Sequence, residues 1–303
     1  MKKNKTKRYL VIGGAGFIGS NLTDELIQLK QQVIILDNLS TGKKENINLK
    51  AKFVKADIRN LKQISPYFKN IDGVFLLAAL PSIQYSIDFP VEANRNNVEG
   101  VLNVLEASQK ENIKRIVYSS SCSIYGDPNK LPVKETANPD PLSPYALQKY
   151  IGEEYCRLFS TIHNLETVSL RYFNVYGPRM DNKGAYTSAL SIFMKQKANN
   201  QPLTITGDGT QTRDLIHVND IAKANILAMN SKKVGQGEAI NIGSGKNYSI
   251  NQIAKMISDK IKYISPRIEP HDSLADNSLA KKLLNWQPKM KLEQGIRELL
   301  KIG

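Results

Sequence analysis

The sequence predicts an α/β protein: a doubly wound parallel sheet joined to a smaller, partly interleaved C-terminal lobe. Three observations carry this expectation. Up to about residue 175, short β-branched runs alternate with longer helical patterns, which is how βαβ units read when helices cover both faces of a parallel sheet. The first run, in VIGGAGFIGSNLTDEL (11–26), climbs into four glycines and leaves them with helical spacing. Glycine is costly to order, so four in one turn mark a tight strand-to-helix bend. After that half the rhythm changes to Gly/Pro-punctuated loops and short helices.

The strand-like runs are YLVIG (9–13), VIILD (33–37), KFVKAD (52–57), GVFLLA (73–78), RIVYSS (115–120) and TVSLRYF (167–173). Helical spacing fills the intervals near 18–30, 90–110 and 145–162. The later half carries the loops YGPRM and TGDGTQTRD, the helical stretches NDIAKANILAMN and NQIAKMISDKI, and one strand-like run, EAINIG (238–243). That last run is a candidate to rejoin the first sheet.

At 303 residues and 41% hydrophobic content the chain can bury a large core. No apolar run approaches the ~18 residues that a spanning helix needs. The basic start MKKNKTKR leads into a glycine-broken strand and not into a signal-peptide core. A cytoplasmic protein without a membrane partner is expected. Cys122 and Cys156 have no metal-ligand spacing with the three histidines, so neither a metal site nor a disulfide is expected. The net charge of +14 is dispersed, apart from the cluster Lys2 to Arg8. It reads as a solvated, lysine-rich surface and not as a nucleic-acid footprint.

The glycines have a use. Gly13, Gly16 and Gly19 fit GxxGxxG, and Gly14, Gly16 and Gly19 fit GxGxxG. At a strand-to-helix turn these positions permit the bend, the approach of backbone to a pyrophosphate, and close packing of helix on strand. The helix N-terminus then offers unpaired N–H groups and the positive end of its dipole. VIILD ends in Asp37, placed to bind both hydroxyls of the adenosine ribose and to repel a 2′-phosphate. A Rossmann-type domain binding NAD, in preference to NADP, follows.

A second constellation is SSSCSIYG (119–126) with SPYALQK (143–149). Tyr145 and Lys149 share one helix face. The serines fall just past the strand RIVYSS, where ligands of open α/β sheets bind. A phenol is a poor base at neutral pH, so the lysine's charge must favour its phenolate.

These motifs, with DNLSTG, ADIR, LAALPS, NNVEGVLNVLEA, LRYFNVYGPR, GDGTQTRDLIHVNDIA, NIGSG and SLAD, make the chain resemble the extended short-chain dehydrogenase/reductase family, and within it the nucleotide-sugar epimerases of the UDP-galactose and UDP-N-acetylglucosamine 4-epimerase type. The likeness spans nearly the whole chain. Sugar 4,6-dehydratases are disfavoured, because Cys122, Ser123 and Ile124 stand where those enzymes carry an acid. The resemblance implies an NAD-binding domain over 1–175, with 214–246 as a candidate return to it, and a nucleotide-sugar lobe over 176–303.

It also implies a reaction. Tyr145 removes the 4-hydroxyl proton of a UDP-hexose while the C4 hydride passes to NAD, and the 4-keto sugar turns over and is reduced on its other face. Ser121 would hold the 4-oxygen, with Ser123 as a second candidate, and Lys149 would support Tyr145. The implied cofactor contacts are Gly13, Gly16, Phe17, Ile18, Gly19, Asp37, Asn38, Ser40, Thr41, Gly42, Asp57, Ile58, Leu77, Ala78, Ala79, Asn97, Ser119 and Tyr172, together with Tyr145 and Lys149. The implied sugar-nucleotide contacts are Ser82, Ser121, Ser123, Tyr145, Asn174, Thr204, Arg213, Arg267 and Ser273. The chain reads PRIEPHDSLAD where relatives carry an Arg-x-Gly-Asp run, so Arg267 is kept, the glycine is missing and Glu269 replaces the aspartate. Ser273, three before the SLAD aspartate, would lie beside the sugar C2 substituent, where a small residue leaves room for an N-acetyl group. Relatives pair two long helices per subunit, so a homodimer through 91–109 and 146–162 is expected. A nucleotide-sugar reductase on the same fold, and a noncatalytic module that senses NAD or binds RNA, are the competing readings.

Overall fold

The computed structural model describes residues 6–180, 188–266 and 270–302. The first half alternates as the hydrophobic pattern demands: β1 (Arg8–Ile12), α1 (Phe17–Gln28), β2 (Gln32–Asp37), β3 (Lys52–Lys55), α2 (Leu61–Ile64), β4 (Gly73–Leu76) and the short α3 (Ile83–Asp88) and α4 (Pro90–Asn94). One π turn, Arg95–Glu99, runs on from α4 into α5 (Gly100–Lys110). Then come β5 (Arg115–Ser121), α6 (Pro144–His163) and β6 (Glu166–Tyr172). Helix α6 starts where Ser143 Oγ accepts from Ala146 N with Pro144 at the first turn, and it stops at a left-handed Asn164.

The later half holds β7 (Asn174–Tyr176), α7 (Ala189–Ala198), β8 (Leu203–Thr206), β9 (Thr212–His217), α8 (Val218–Asn230), β10 (Gln236–Ile242), β11 (Asn247–Ser249), α9 (Ile250–Lys255), β12 (Ile261–Ile264), α10 (Ser278–Leu284) and α11 (Leu292–Ile302). The main sheet is parallel throughout, in the order β10-β6-β5-β4-β1-β2-β3. Strand order reverses beside β1, so the ligand crevice lies beyond the carboxyl ends of β1 and β4.

Alternate residues of each strand feed opposite cores. Val11, Ile35, Phe75, Val117 and Val168 pack with Leu22 and Leu26 of α1 and Ile221 of α8. Leu10, Ile12, Leu36, Val74 and Ile116 pack with Val101, Val104 and Leu105 of α5 and Cys156 of α6. The run at 238–243 does pair with β6. The return is narrower than 214–246, however, because β9 pairs with β7 and β11 in a separate three-stranded sheet. Only α8 and β10 of that interval join the first sheet. A third core, from Phe193, Leu203, Ile205, Leu215, Ile253 and Ile296, holds the second lobe together.

Candidate active site

The glycine turn is built for contact. A Cβ on Gly13 would stand 2.6 Å from Ala78 N, and one on Gly19 would stand 2.2 Å from Gly13 O. Neither can be anything larger without moving backbone. Gly16, at the start of α1, is less crowded: a Cβ there would meet Gly13 O at 3.3 Å, a tight contact that a shift of a few tenths of an ångström would relieve. That helix has no side-chain cap, and Phe17 and Ile18 form its first turn. Next door, Leu77 N and Ala78 N both donate to Ile12 O (2.8 and 2.9 Å), which sets Leu77, Ala78 and Ala79 against the turn.

Asp37 ends β2 with its carboxylate pinned. Ala15 N donates to Oδ2 (3.0 Å) and Leu39 N to Oδ1 (2.8 Å). Burial pushes this carboxyl above its ordinary value, and those two N–H donors oppose it. Gly42 closes over the same group, since a Cβ there would lie 2.9 Å from either oxygen. Ser40 and Thr41 lie in that loop, and Ser40 N donates to Asn38 Oδ1. Asn38 Nδ2 donates to Asp57 Oδ2 (3.0 Å), and the Arg59 guanidinium holds the Asp57 carboxyl down to about 2. Ile58 packs under Gly100. An uncapped helix start, a glycine-lined opening and a fixed carboxylate at the second strand's end fit a dinucleotide with a free 2′-hydroxyl.

The reactive side chains come together from β5 and α6. Lys149 is 3% exposed, and its Nζ donates to Ser119 O (2.7 Å) while standing 5.0 Å from the Tyr118 ring centroid and 5.9 Å from that of Tyr145. Burial pulls Lys149 down to about 8. Tyr145 is buried, and its N donates to Ser86 Oγ (3.1 Å). Ser121 ends β5 and accepts from Ser123 N (3.2 Å); Ser123 Oγ is a buried oxygen with no hydrogen-bond partner among the described residues. Cys122 between them is a free thiol pushed up to about 12 by burial, so it is no nucleophile at neutral pH.

The structure also shows how distant polar groups brace these residues. Asn97 sits in the π turn, accepts from Leu80 N (2.8 Å) and donates to Leu80 O and to Gln148 Oε1 on α6 (3.1 and 2.8 Å). It clamps the loop after β4 to the helix of Tyr145. Buried Asp214 accepts from Ser244 N and Oγ, Gly245 N and Ala275 N, so one carboxylate gathers NIGSG and SLAD at β9. Glu153, Arg171 and Ser120 form a third cluster behind Lys149.

On the second-lobe side, Asn174 Nδ2 and Asp214 N each donate to Ser273 Oγ at 3.1 Å. Arg213 on β9 donates through Nη1 to Thr212 O (2.8 Å) and His271 O (3.0 Å). Ser82 caps α3 by accepting from Tyr85 N. Two of the expected contacts use their polar groups within the chain. The Tyr172 hydroxyl donates to Asn225 Oδ1 on α8 (2.9 Å), and Thr204 uses its N–H and Oγ1 on Gln196 of α7 (3.0 and 2.7 Å). A cofactor contact from Tyr172 would use its ring or main chain, and Thr204 has no amide proton left for a base. Arg267 and Glu269 lie outside the described residues. No helix of the described residues is long and apolar enough to cross a membrane.

Residues 9–243 match the family described as NAD dependent epimerase/dehydratase. A UDP-glucose 4-epimerase of Mycolicibacterium smegmatis is 34% identical, covering 95% of this chain and 96% of its own. Among solved structures, the UDP-glucose 4-epimerase of Thermotoga maritima with UDP-glucose is 37% identical, with a TM-score of 0.93 and 97% of both chains covered. The UDP-N-acetylglucosamine 4-epimerase of Methanobrevibacter ruminantium, in complex with UDP-N-acetylmuramic acid, is 38% identical, with a TM-score of 0.93 and 98% of both covered. With a family match over most of its length and relatives above 30% identity along nearly all of it, the chain belongs to the NAD-dependent epimerase/dehydratase family.

Proposed function

We propose that the chain interconverts a UDP-hexose and its 4-epimer through a 4-keto sugar, with UDP-N-acetylglucosamine and UDP-N-acetylgalactosamine as the favoured pair and UDP-glucose and UDP-galactose also accepted. The observation that supports the acetamido pair is the bonding of Ser273. Its oxygen already accepts from Asn174 and from Asp214 N. Both lone pairs are then used, and the hydroxyl hydrogen is left to donate. An N-acetyl group beside C2 has room over so small a side chain, and its carbonyl finds the donor that it would otherwise lose on burial.

In this reading Tyr145 takes the proton from the sugar 4-hydroxyl and gives it back. Ser121, whose oxygen accepts from Ser123 N, keeps its O–H for the 4-oxygen. Lys149 holds positive charge beside the phenol and so favours the phenolate. Bound NAD supplies reversible acceptance of the C4 hydride. Arg213, fixed by two main-chain carbonyls, suits a diphosphate because a guanidinium fork matches phosphate oxygens. The unpartnered Ser123 oxygen is the kind of buried polar atom that a bound ligand satisfies.

The purified protein, given each UDP-hexose without added cofactor, is expected to yield the 4-epimer, read by NMR of the product. Ser273→Tyr is expected to cut turnover of the N-acetylated pair about 100-fold and that of the plain pair less than about threefold, because only the acyl group meets the new ring. Equal losses on both pairs would remove the basis for the acetamido preference. Stoichiometric oxidation of NADH would instead identify a reductase.

A homodimer belongs to the same proposal, with its surface redrawn. Val98, Val101 and Leu105 are buried in this chain's own core and are not offered to a partner. Phe89, Val91, Leu147, Leu158 and Ile162 are among the exposed apolar residues of this region, and pairing two copies would cover them. Light scattering at micromolar concentration is expected to give the dimer mass, and a monomer throughout would refute it.

A further inference from the structure

Tyr145, Lys149 and Glu153 recur every four residues on α6. The reactive stripe therefore runs one turn past the lysine into a carboxylate that is 4% exposed. Arg171 of β6 donates to it through Nε (3.0 and 3.2 Å) and Nη2 (2.8 Å). Ser120 of β5 donates its hydroxyl to Glu153 Oε1. Ser120 lies between Ser119, whose carbonyl takes the Lys149 ammonium, and Ser121. Side chains alternate along a strand, so holding Ser120 on α6 sets Ser121 on the opposite face.

We propose that Glu153 is a positioning residue for the proton-transfer set: through Ser120 it ties the end of β5 to α6, and its carboxylate is the counter-charge of the Lys149 ammonium. The proposal rests on the epimerase reading. A buried ion pair with Arg171 alone gives a fold little that an apolar pair of equal volume would not. A carboxylate near a buried ammonium does what no apolar side chain does, because it keeps the proton on the lysine. The groups facing Lys149 are the phenol of Tyr118 from β5, and the phenol of Tyr145, the thiol of Cys156 and Glu153 from α6. Arg171 bears on Glu153 from β6. Burial lowers Lys149, and Glu153 is the first charge that opposes it.

The test reads the lysine directly. In protein carrying 13C-labelled lysine, the Lys149 resonance is assigned by its loss in Lys149→Met and titrated by NMR without substrate. Glu153→Gln keeps an acceptor for Ser120 but removes the charge. Its Lys149 is expected to lose its proton with an acid dissociation constant about tenfold larger than in the wild type. Its kcat for a UDP-hexose at pH 8 is expected to fall about tenfold, with KM changed less than about twofold. A merely structural role predicts the reverse shift, since loosened packing admits water and moves a buried lysine up toward its solution value. Should Glu153→Gln fail to fold around an unpaired Arg171, the neutral amide pair Glu153→Gln/Arg171→Gln takes its place, with the same expected direction. A Lys149 titration that stays put or moves up in the folded variant overturns the proposal. Absence of turnover by the wild type with every UDP-hexose would sink the epimerase reading instead, and it leaves the lysine titration to decide this one.

Discussion

Tyr145→Phe is expected to lower kcat about 1000-fold or more, within the range that a positioned proton-transfer group contributes, while the protein still binds NAD. The ring is almost wholly buried and its backbone N is fixed by Ser86, so Phe keeps the packing and the start of α6. Lys149 keeps Ser119 as its acceptor. What disappears is the hydroxyl that the proposed mechanism uses as the base toward the sugar 4-hydroxyl. The check pairs an epimerase assay with the NAD content of the same sample. Activity above a tenth of the wild type would show that another group does the work, and loss of NAD would show that the change is not confined to chemistry.

The second large effect is expected at the glycine turn. In Gly19→Ala the added methyl would lie 2.2 Å from Gly13 O and 2.9 Å from Gly14 Cα, both backbone atoms. Side chains can rotate away from such a clash, whereas this one moves α1 off the end of β1. Overpacking of this kind costs roughly 1–3 kcal/mol. Here it would also displace the helix-start N–H groups that are proposed to face the pyrophosphate. NAD affinity is expected to fall about 100-fold, measured by titration of protein stripped of cofactor. Gly16→Ala, whose methyl would meet Gly13 O only at 3.3 Å, is expected to disturb the turn less than Gly19→Ala does. An unchanged affinity in Gly19→Ala would mean that the helix start does not set the phosphate site.

What was legible in the sequence is what is local. The Gly13–Gly19 spacing, Asp37 at the close of β2, and the Tyr145/Lys149 interval all lie within single elements or one turn, where backbone geometry fixes the relation between residues. The partners that brace them lie far away. Ser86 anchors Tyr145 N, Arg171 pairs with Glu153, and Asp214 gathers loops around 244 and 275. Nothing in a run of apolar spacing says which distant polar groups will meet. The π turn that brings Asn97 onto Leu80 and Gln148 was hidden for a related reason, because one extra residue in a helical turn barely disturbs a 3.6-residue pattern. The helix faces show the same limit. Residues 98, 101 and 105 share a stripe by spacing, and a helix over a sheet must spend part of such a stripe on its own core; the fold shows that all three are buried there.

The late return of β10 bears on how the protein is made. The nucleotide-binding sheet gains its seventh strand only after β7, β8, β9 and α8 have been synthesised. Until then the free edge of β6 presents unpaired backbone groups. Before α8 is in place, Leu22 and Leu26 lack the helix that packs against theirs. An N-terminal fragment ending at residue 175 therefore lacks an edge strand and a covering helix. In assembly terms the segment between β6 and α8 is a mid-chain insertion, framed on both sides by the sheet that it serves. The second lobe is nevertheless split by β10: α7, β8 and β9 precede it and β11, α9, β12 and α11 follow it, so Asn174 and Arg213 are made before the sheet is complete and Ser273 after it.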